Sequence, residues 1–422
     1  MKKAPKNNPK LSKGGWYIRL RRMAGAAVGA WRATDPEGIG ELDDLYNLQD
    51  GAEVVAFFGD DVHRIYQIEQ WVKPLEKLNE KHKVHIICRQ HPVTTYLRKI
   101  TKLPTFSIYD FFTLTDAIIE KNYKVVLYVN NSTMNFQPLA AKRAFHVHLN
   151  HGESDKMSMT SRQMYAYDFV AVAGQAAKDR LNNSLMVADG SKEWVIGRPQ
   201  LDVLQPPIEV DETRKILLYA PTWQGDQEAN NYSSLDIYGE KIMKALLAQE
   251  NATVFYKPHP RIVENKIPQW KNLHQNILSL IEDANKKDPK ANHQFITGDP
   301  LRVLQIADLL IADVSSVTID YLYLKPDGVL LICDRRSNSE LFKQIAPVSA
   351  AVPNIDKNNI NEIEKMITDY LVNYPRRDEY QKIRNYYFGE GNPGDSLNKF
   401  ISMTTELINR RDLRVAQMPD LP

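Results

Sequence analysis

The stretch of sequence that indicates the fold is ADLLIADVSSVTIDYLYLKP at residues 307–326. Its apolar run ends at Asp313, two serines follow, and an aromatic-rich segment with helical spacing then begins. A strand that leads into a helix in this way is typical of open α/β sheets, whose ligands bind beyond the carboxyl ends of the strands. A helix start favours an anion, and the hydroxyls of Ser315 and Ser316 would add hydrogen-bond donors. Helix capping alone would explain one serine, so the pair favours phosphate binding.

The rest of the chain alternates between predicted strands and predicted helices. Segments such as residues 65–81 and 111–121 have helical periodicity, and short apolar runs bounded by polar turns lie between such segments. The predicted strands form two series, EVVAFF, KVHIIC, KVVLYV, FHVHL and DFVAVAG, then KILLYAP, ATVFYKP, HQFIT, ADLLIAD and GVLLICD. This pattern predicts an α/β protein with two open parallel-sheet domains.

Composition and linker signals divide the chain further. At 422 residues it is too long for one ordinary core, and its 43% hydrophobic and 25% charged content is that of a globular protein. We predict a basic extension at residues 1–35, a first domain at 45–196, a Pro-rich linker at 197–211 and a second domain at 212–411. The second domain would close with helices from about residue 361.

The N-terminal extension carries nine Lys or Arg residues and no acidic residue before Asp35. From Trp16 to Trp31 its apolar residues recur at helical spacing. A basic amphipathic helix of this kind fits an anionic membrane surface, which residues 1–32 would contact. Equally, the helix could dock on its own first domain, and the sequence leaves both alternatives open.

The two cysteines, Cys88 and Cys333, lie in separate apolar runs and are expected to be buried, reduced thiols. No apolar run is long enough to span a bilayer, and nothing before Asp35 has the apolar core of a secretory signal. These features predict a cytoplasmic protein, peripheral on the inner face of the membrane if the extension binds lipid. The sequence gives no indication of a nucleic-acid partner or of the oligomeric state.

Two further strand ends carry candidate ligand-binding residues. FYKPHPR places Lys257, His259 and Arg261 just beyond a strand, in a turn that prolines stiffen, and this charge suits a phosphate. LLYAPTWQGDQ places Thr222 after another strand. The Thr222 hydroxyl could orient a ligand, although a packed turn would have the same sequence.

A fourth candidate lies in HVHLNHGESDK, where a strand of the first domain ends. His146 and His148 share one face of that strand and are interpreted as core residues. His151 lies past the strand end, and Gly152 permits a tight turn that would expose the imidazole. A histidine in this position could accept a proton from an attacking hydroxyl.

Other cofactor chemistries lack support in the sequence. No G-x-G-x-x-G and no Walker phosphate loop follows any predicted strand, which argues against nicotinamide redox chemistry and P-loop hydrolysis. No acidic cluster predicts a dedicated metal site. A Mg²⁺ ion carried with a nucleotide donor is compatible with the sequence.

Taken in order, the motifs resemble the CDP-glycerol glycerophosphotransferase family of teichoic acid synthesis. They are His-Gly, GRPQLD at residues 197–202, YAPTW, KPHP and DVSSVTIDYLYLKP. The resemblance covers about residues 120–400 and implies a glycosyltransferase-B fold, in which two Rossmann-like domains face each other across a cleft. It implies transfer of glycerol phosphate, or in close relatives ribitol phosphate, from a CDP-alditol to a hydroxyl of a lipid-linked acceptor.

The resemblance also implies roles for individual residues. His151 matches the proposed general base, and His259 matches a histidine that binds the pyrophosphate of the nucleotide donor. Ser315 and Ser316 match serines that bind its phosphates. The remaining predicted donor-binding residues are Thr222, Lys257, Arg261, Asp313 and Asp320, and the predicted acceptor-side residues are Asn150, Gly152 and Lys156.

The sequence departs from the family pattern mainly in the first domain. Asn150 stands where Trp is usual, and residues 153–156 read Glu-Ser-Asp-Lys where Thr-Pro-Leu-Lys is common. Gln224 replaces the usual Arg after YAPTW. The alternatives to a glycerophosphotransferase are therefore a ribitol-phosphate transferase, a glycosyltransferase that uses a nucleotide sugar, and an inactive membrane-surface protein.

Overall fold

The computed structural model of the protein describes residues 48–391 and 394–419, so the predicted extension at residues 1–35 lies outside the described part. The chain divides into two compact units, Met1–Leu149 with Thr404–Pro422, and Asn150–Met403. The linker predicted at residues 197–211 thus falls inside the second unit, which also contains the turn with His151.

The first unit is built on a parallel sheet. Its described strands lie in the order β3-β2-β1-β4-β5, and every pair is parallel. All five are almost entirely buried, as expected for a parallel sheet covered on both faces. The bounds are β1 Val54–Phe58, β2 Val84–Cys88, β3 Thr105–Ser107, β4 Val125–Tyr128 and β5 Phe145–His148.

Three helices of this unit connect its strands. Helix α3 begins where the Asp110 side chain accepts a hydrogen bond from the backbone N–H of Thr113, at 2.8 Å. Residues from Thr404 onward in the last helix of the chain also belong to this unit, where Asp412 forms an ion pair with Lys124. The helices are α1 Tyr66–Asn79, α2 His91–Ile100 and α3 Phe111–Glu120, with short 3₁₀ helices at Val62–Arg64, Thr133–Phe136 and Pro138–Ala140.

The second unit contains a parallel pair of strands and a larger parallel sheet. The pair is β6 Phe169–Val172 and β7 Glu193–Val195. The described strands of the larger sheet lie in the order β10-β9-β8-β11-β12-β13. Their bounds are β8 Lys215–Ala220, β9 Ala252–Tyr256, β10 Gln294–Phe295, β11 Leu309–Ala312, β12 Val329–Cys333 and β13 Asn354–Ile355.

Helices of the second unit cover the sheet and complete its core. Tyr219, Tyr256 and Tyr321 are among the largest side chains with essentially no exposed surface. The helices are α4 Gln175–Ser184, α5 Gly239–Leu247, α6 Pro260–Val263, α7 Pro268–Lys287, α8 Leu301–Leu304, α9 Ser316–Leu324, α10 Ser339–Ile345, α11 Ile363–Val372, α12 Arg377–Phe388 and α13 Asp395–Ala416, the last of which belongs to this unit only up to Met403. Short 3₁₀ helices lie at Met157–Thr160, Arg162–Ala166, Pro199–Leu201, Glu228–Asn230, Pro289–Ala291, Pro347–Ala350 and Ile360–Glu362.

The predicted secondary structure is largely confirmed. All ten predicted strands are present, and α9 begins at Ser316, within the DVSS motif that follows β11. The sequence reading missed β3, β7 and β13, each two or three residues long. Cys88 and Cys333 are buried free cysteines, as predicted. In the described part of the chain, no helix is both long enough and apolar enough to cross a membrane.

Candidate active site

The larger sheet has its topological switch point between β8 and β11. From β8 the chain proceeds to β9 and β10 on one side, and from β11 to β12 and β13 on the other. Ala220 lies level with Ala312, so Thr222 and Asp313 follow the carboxyl ends of adjacent strands. A switch point of this kind leaves a crevice beyond the strand ends, which is where open α/β sheets bind ligands.

Asp313 fastens the loops at this switch point. One of its carboxylate oxygens accepts a hydrogen bond from the backbone N–H of Thr222 at 2.7 Å, and the other from that of Ser234 at 3.1 Å. Burial raises the pKa of Asp313 to about 7, an effect that the hydrogen bonds from Ser234 and Thr222 oppose. The carboxylate therefore orders the site's backbone.

The start of α9 carries an unsatisfied hydroxyl. Ser315 has the extended backbone of a helix N-cap, with φ −160° and ψ 170°, yet its side chain makes no capping hydrogen bond. The Ser315 hydroxyl is buried and has no hydrogen-bond partner among the described residues. Leaving such a group unpaired costs about 1–3 kcal/mol, which a ligand oxygen would offset. Capping therefore does not explain Ser315. Ser316, the first residue of α9, is half-buried and so still accessible from solvent.

The turn after β9 presents an imidazole in a defined tautomer. The Nδ1 atom of His259 accepts a hydrogen bond from the backbone N–H of Arg261 at 3.2 Å. A neutral His259 ring therefore carries its proton on Nε2, where it can donate to a phosphate oxygen. Burial lowers the pKa of His259 well below its usual value, as do the neighbouring charges of Lys156, Lys257 and Arg261.

The cations around His259 are themselves held in place. Lys257 is 6% exposed, and burial lowers its pKa to about 8, against the opposing effect of Asp299. The guanidinium of Arg261 lies 4.1 Å from the centre of the Trp223 ring, in a cation–π contact that fixes its plane. His259 therefore lies close to several positive charges, which is the arrangement expected for binding an anion.

The His151 turn lies against the start of α9. Asn150 has a positive φ of 59°, and its side chain accepts a hydrogen bond from the backbone N–H of His151 at 2.8 Å. A Cβ atom at Gly152 would lie 3.1 Å from the Cβ of Ser316 and 3.5 Å from Nη1 of Arg198. Gly152 is thus needed for close packing, whereas Asn150 adopts the left-handed backbone of the turn.

Electrostatics keep His151 neutral at pH 7. Burial, Arg198 and Lys156 together lower its pKa to about 4. A neutral imidazole is the form that can accept a proton. An anion bound among these cations would raise the His151 pKa towards neutrality and make the ring a stronger base.

Lys156 connects the His151 turn with the loop after β8. Its ammonium group donates a hydrogen bond to the Thr222 hydroxyl at 2.7 Å. Burial lowers the Lys156 pKa to about 8, although the Asp313 carboxylate acts in the opposite direction. The predicted acceptor-side Lys156 and the predicted donor-side Thr222 are therefore in direct contact.

The sequence reading did not single out Arg198, which lies within the quoted GRPQLD motif. Its guanidinium is buried and lies 3.0 Å from the Asp320 carboxylate. Burial raises the pKa of Asp320 to about 6, although Arg198 opposes this rise. Asp320 thus has a protein partner and anchors Arg198 next to Gly152. Asp320 could have indicated such a residue in the sequence, since a buried carboxylate on an apolar helix needs a cation as its partner.

The described residues form no cluster of metal-ligating side chains. Within residues 48–391 and 394–419, no group of three or more His, Cys, Asp or Glu side chains is placed to hold a metal ion. His146 and His148 are buried in β5, where Tyr128 forms a hydrogen bond with the His146 ring. The predicted Mg²⁺ carried with the nucleotide stays a prediction.

Comparison with known proteins identifies the family. The model of a family described as CDP-glycerol:poly(glycerophosphate) glycerophosphotransferase matches residues 60–388. The chain belongs to this family. It is a CDP-glycerol glycerophosphotransferase-like enzyme, as predicted, and the family supports CDP-glycerol as the nucleotide donor. No curated protein is similar enough in sequence to count as a match.

Solved structures show the same fold at low sequence identity. The wall teichoic acid polymerase TagF is 13% identical with a TM-score of 0.53, over 95% of this chain and 99% of that chain. TagF soaked with CDPG is 14% identical with a TM-score of 0.52, over 94% and 96%. UDP-GlcNAc 2-epimerase from Methanocaldococcus jannaschii is 14% identical with a TM-score of 0.53, over 83% and 99%. The predicted fold class, two Rossmann-like domains of the glycosyltransferase-B type, is confirmed.

Replacing Ser315 with Ala separates ligand binding from helix capping. Because the Ser315 hydroxyl is buried without a partner within the described chain, Ser315→Ala should leave the free energy of unfolding unchanged or raise it by up to about 3 kcal/mol, while CDP-glycerol binds at least tenfold more weakly. Asn338→Ala is the matched control, since Asn338 caps α10 by accepting from Leu341 N–H at 3.2 Å. The control should lose about 1 kcal/mol and bind normally. Denaturant titration and calorimetry measure both quantities, and a Ser315→Ala variant that binds normally would contradict the assignment.

The lowered lysine pKa values predict how binding depends on pH. Lys156 and Lys257, each with a pKa near 8, are charged below that pH and lose their protons above it. A bound diphosphate raises both values again, so the dissociation constant of CDP-glycerol should rise by up to about tenfold per pH unit for each lysine above pH 8. Lys257→Arg, which stays charged, should remove one lysine's share of this slope. A dissociation constant that is flat from pH 7 to 9.5 would contradict the prediction.

Proposed function

We propose that the enzyme transfers glycerol phosphate from CDP-glycerol to a hydroxyl of a lipid-linked teichoic acid, or related cell-surface polymer, and releases CMP. The observation that supports this most strongly is the start of α9, where the buried Ser315 hydroxyl has no partner within the described chain. Lys156, Lys257 and Arg261 place positive charge near His259. The buried carboxylates of Asp313 and Asp320 are already paired with Thr222 and Arg198, respectively. This arrangement suits the diphosphate of the donor.

In the proposed reaction, the acceptor oxygen attacks the phosphorus that bears the glycerol. A bond forms between that oxygen and phosphorus, and the bond from phosphorus to the bridging oxygen breaks. CMP leaves with the electron pair of the broken bond. His151 Nδ1 or Nε2 takes the proton of the attacking hydroxyl, which requires the neutral ring that burial and nearby cations maintain.

The residues of the larger sheet stabilise the leaving group. The Nε2–H of His259 donates to the diphosphate, and Lys257 supplies a charge beside it. The hydroxyls of Ser315 and Ser316 complete the set, together with the backbone N–H groups that the first turn of a helix leaves without an intrahelical partner. Hydrogen-bond donors that are fixed before reaction are the main means of stabilising charge in phosphoryl transfer. Asp313, Asp320 and Arg198 act by holding this frame.

A product analysis tests the proposed reaction. The full-length enzyme is incubated with a lipid-linked acceptor and CDP-glycerol, CDP-ribitol or a UDP-sugar, and the products are analysed by mass spectrometry. We expect an acceptor heavier by glycerol phosphate units, with one CMP released per unit. Transfer from CDP-ribitol alone would identify a ribitol-phosphate transferase. Turnover of a UDP-sugar alone would overturn the proposal, and no turnover with any donor would favour the inactive binding protein.

His151→Ala tests the identity of the base. Loss of the imidazole should lower the rate of CMP release by about 10²–10⁴-fold while the dissociation constant of CDP-glycerol changes little. His63→Ala is the control, because His63 is an exposed histidine of the first unit. If His151→Ala turns over at close to the wild-type rate, His151 is not the base.

We further propose that residues 1–32 bring the enzyme to the inner face of the membrane, where a lipid-linked acceptor would lie. Replacing Arg19, Arg21 and Arg22 with Gln in the full-length chain should weaken binding to vesicles containing anionic lipid by about 100-fold at low salt. The difference should shrink as salt is added. Sedimentation with vesicles measures both effects. Unchanged binding would favour a helix that docks on its own domain.

A further inference from the structure

The segment from Asn150 to Lys156 has two sets of side chains with different surroundings. His151, Gly152 and Lys156 contact or influence the candidate site, through the packing of Gly152 on Ser316 and the hydrogen bond from Lys156 to Thr222. Glu153 and Asp155 instead have partners on α4 and α12. They are acidic residues at positions where the sequence departs from the usual family pattern, so their function needs its own explanation.

Both carboxylates meet the same buried cation. Nη1 of Arg180 on α4 donates to the Glu153 carboxylate at 2.6 Å, and Nη2 lies 3.5 Å from the Asp155 carboxylate. The exposed fractions of these three side chains are only 14%, 6% and 2%. Burial lowers the pKa of Arg180, but the two carboxylates more than compensate and the net change is upward. The guanidinium is therefore firmly charged.

A second contact holds Asp155 from α12. The hydroxyl of Tyr387 donates to the Asp155 carboxylate and accepts a hydrogen bond from the backbone N–H of Val348 at 3.3 Å. Burial raises the Asp155 pKa to about 6, while Arg180 and the Tyr387 hydrogen bond oppose this rise. One guanidinium faces two carboxylates, so this extra hydrogen bond helps to keep Asp155 ionised and in place.

The helices that carry Arg180 and Tyr387 are closely packed. A Cβ atom at Gly174, the residue before α4, would lie 2.3 Å from the carbonyl oxygen of Tyr387. Such a close approach leaves α4 and α12 little freedom to shift against each other. Because Glu153 and Asp155 bind the His151 turn to both helices, the turn is also restricted in its movement.

We propose that Arg180 and Tyr387 are positioning residues, which fix the His151 turn in its reactive geometry by holding Glu153 and Asp155. The inference rests on the proposed function, in which His151 is the base and Lys156 contacts the Thr222 hydroxyl. Displacement of a reacting group by about 1 Å can reduce a rate by 10²-fold, so a buried network two residues from His151 has leverage on the chemical step.

Tyr387→Phe is the mildest test. Removing one hydroxyl should lower kcat by at least tenfold, while the KM and dissociation constant of CDP-glycerol stay within twofold of wild type. The matched control is Tyr380→Phe, on the same helix, because Tyr380 is equally buried and donates to the Lys325 carbonyl oxygen at 3.0 Å. Both variants should show similar decreases in melting temperature, and only Tyr387→Phe should lose turnover.

Arg180 is tested by a graded pair of substitutions. Arg180→Lys retains the charge but lacks the planar guanidinium that reaches both carboxylates, so its kcat should fall between those of wild type and Arg180→Met. If Arg180→Met does not fold, Tyr387→Phe and Arg180→Lys decide the question. The proposal is overturned if Tyr387→Phe and Arg180→Lys both keep kcat within threefold of wild type, or if they change only the KM.

A readout without turnover separates this inference from the proposed function. In protein with ¹³C-labelled histidine, the His151 ring signal is assigned by its loss in His151→Gln. That signal should shift in Tyr387→Phe and stay unchanged in Tyr380→Phe, even if CDP-glycerol proves not to be a substrate. An unchanged His151 signal in Tyr387→Phe would overturn the positioning role. Failure of the wild-type enzyme to use any CDP-alditol would overturn only the proposed function.

Discussion

The candidate site depends on positive charge that is buried beside the start of a helix. Burial lowers the pKa values of Lys156, Lys257 and His259, and neighbouring cations lower those of Lys156 and His259 further. For each lysine, a fall from 10.5 to about 8 corresponds to roughly 3 kcal/mol. The nearby carboxylates Asp313 and Asp320 are committed to structural partners. The folded chain therefore stores unfavourable electrostatic energy that a bound polyanion would relieve.

The same electrostatics link binding to catalysis. Burial, together with the cations that would attract the nucleotide, keeps His151 neutral, so the free enzyme holds the base in its proton-accepting form. An anion bound nearby would raise the pKa of His151 and so increase its basicity. The base would then become effective when the substrate is present. This coupling needs the His151 turn to stay close to α9, which the packing of Gly152 on Ser316 provides.

Much of this arrangement was predictable from the sequence because parallel strands place their carboxyl ends at one edge. Thr222, Lys257 and Asp313 each follow an apolar run, and the sheet brings those runs side by side. Three strands of two or three residues, β3, β7 and β13, were missed, since so short a run has no clear periodicity. Arg198 was also missed, as its partner lies 122 residues away and no local pattern reports such a pairing. Arg180 escaped for the same reason, being 27 residues from Glu153.

The most direct test of the account is a crystal structure of the His151→Ala enzyme with CDP-glycerol, in which slow turnover would preserve the nucleotide. We expect the diphosphate to lie at the start of α9, with its oxygens within hydrogen-bond distance of the Ser315 hydroxyl and of His259 Nε2. A diphosphate bound away from α9, with Ser315 still without a partner, would contradict it.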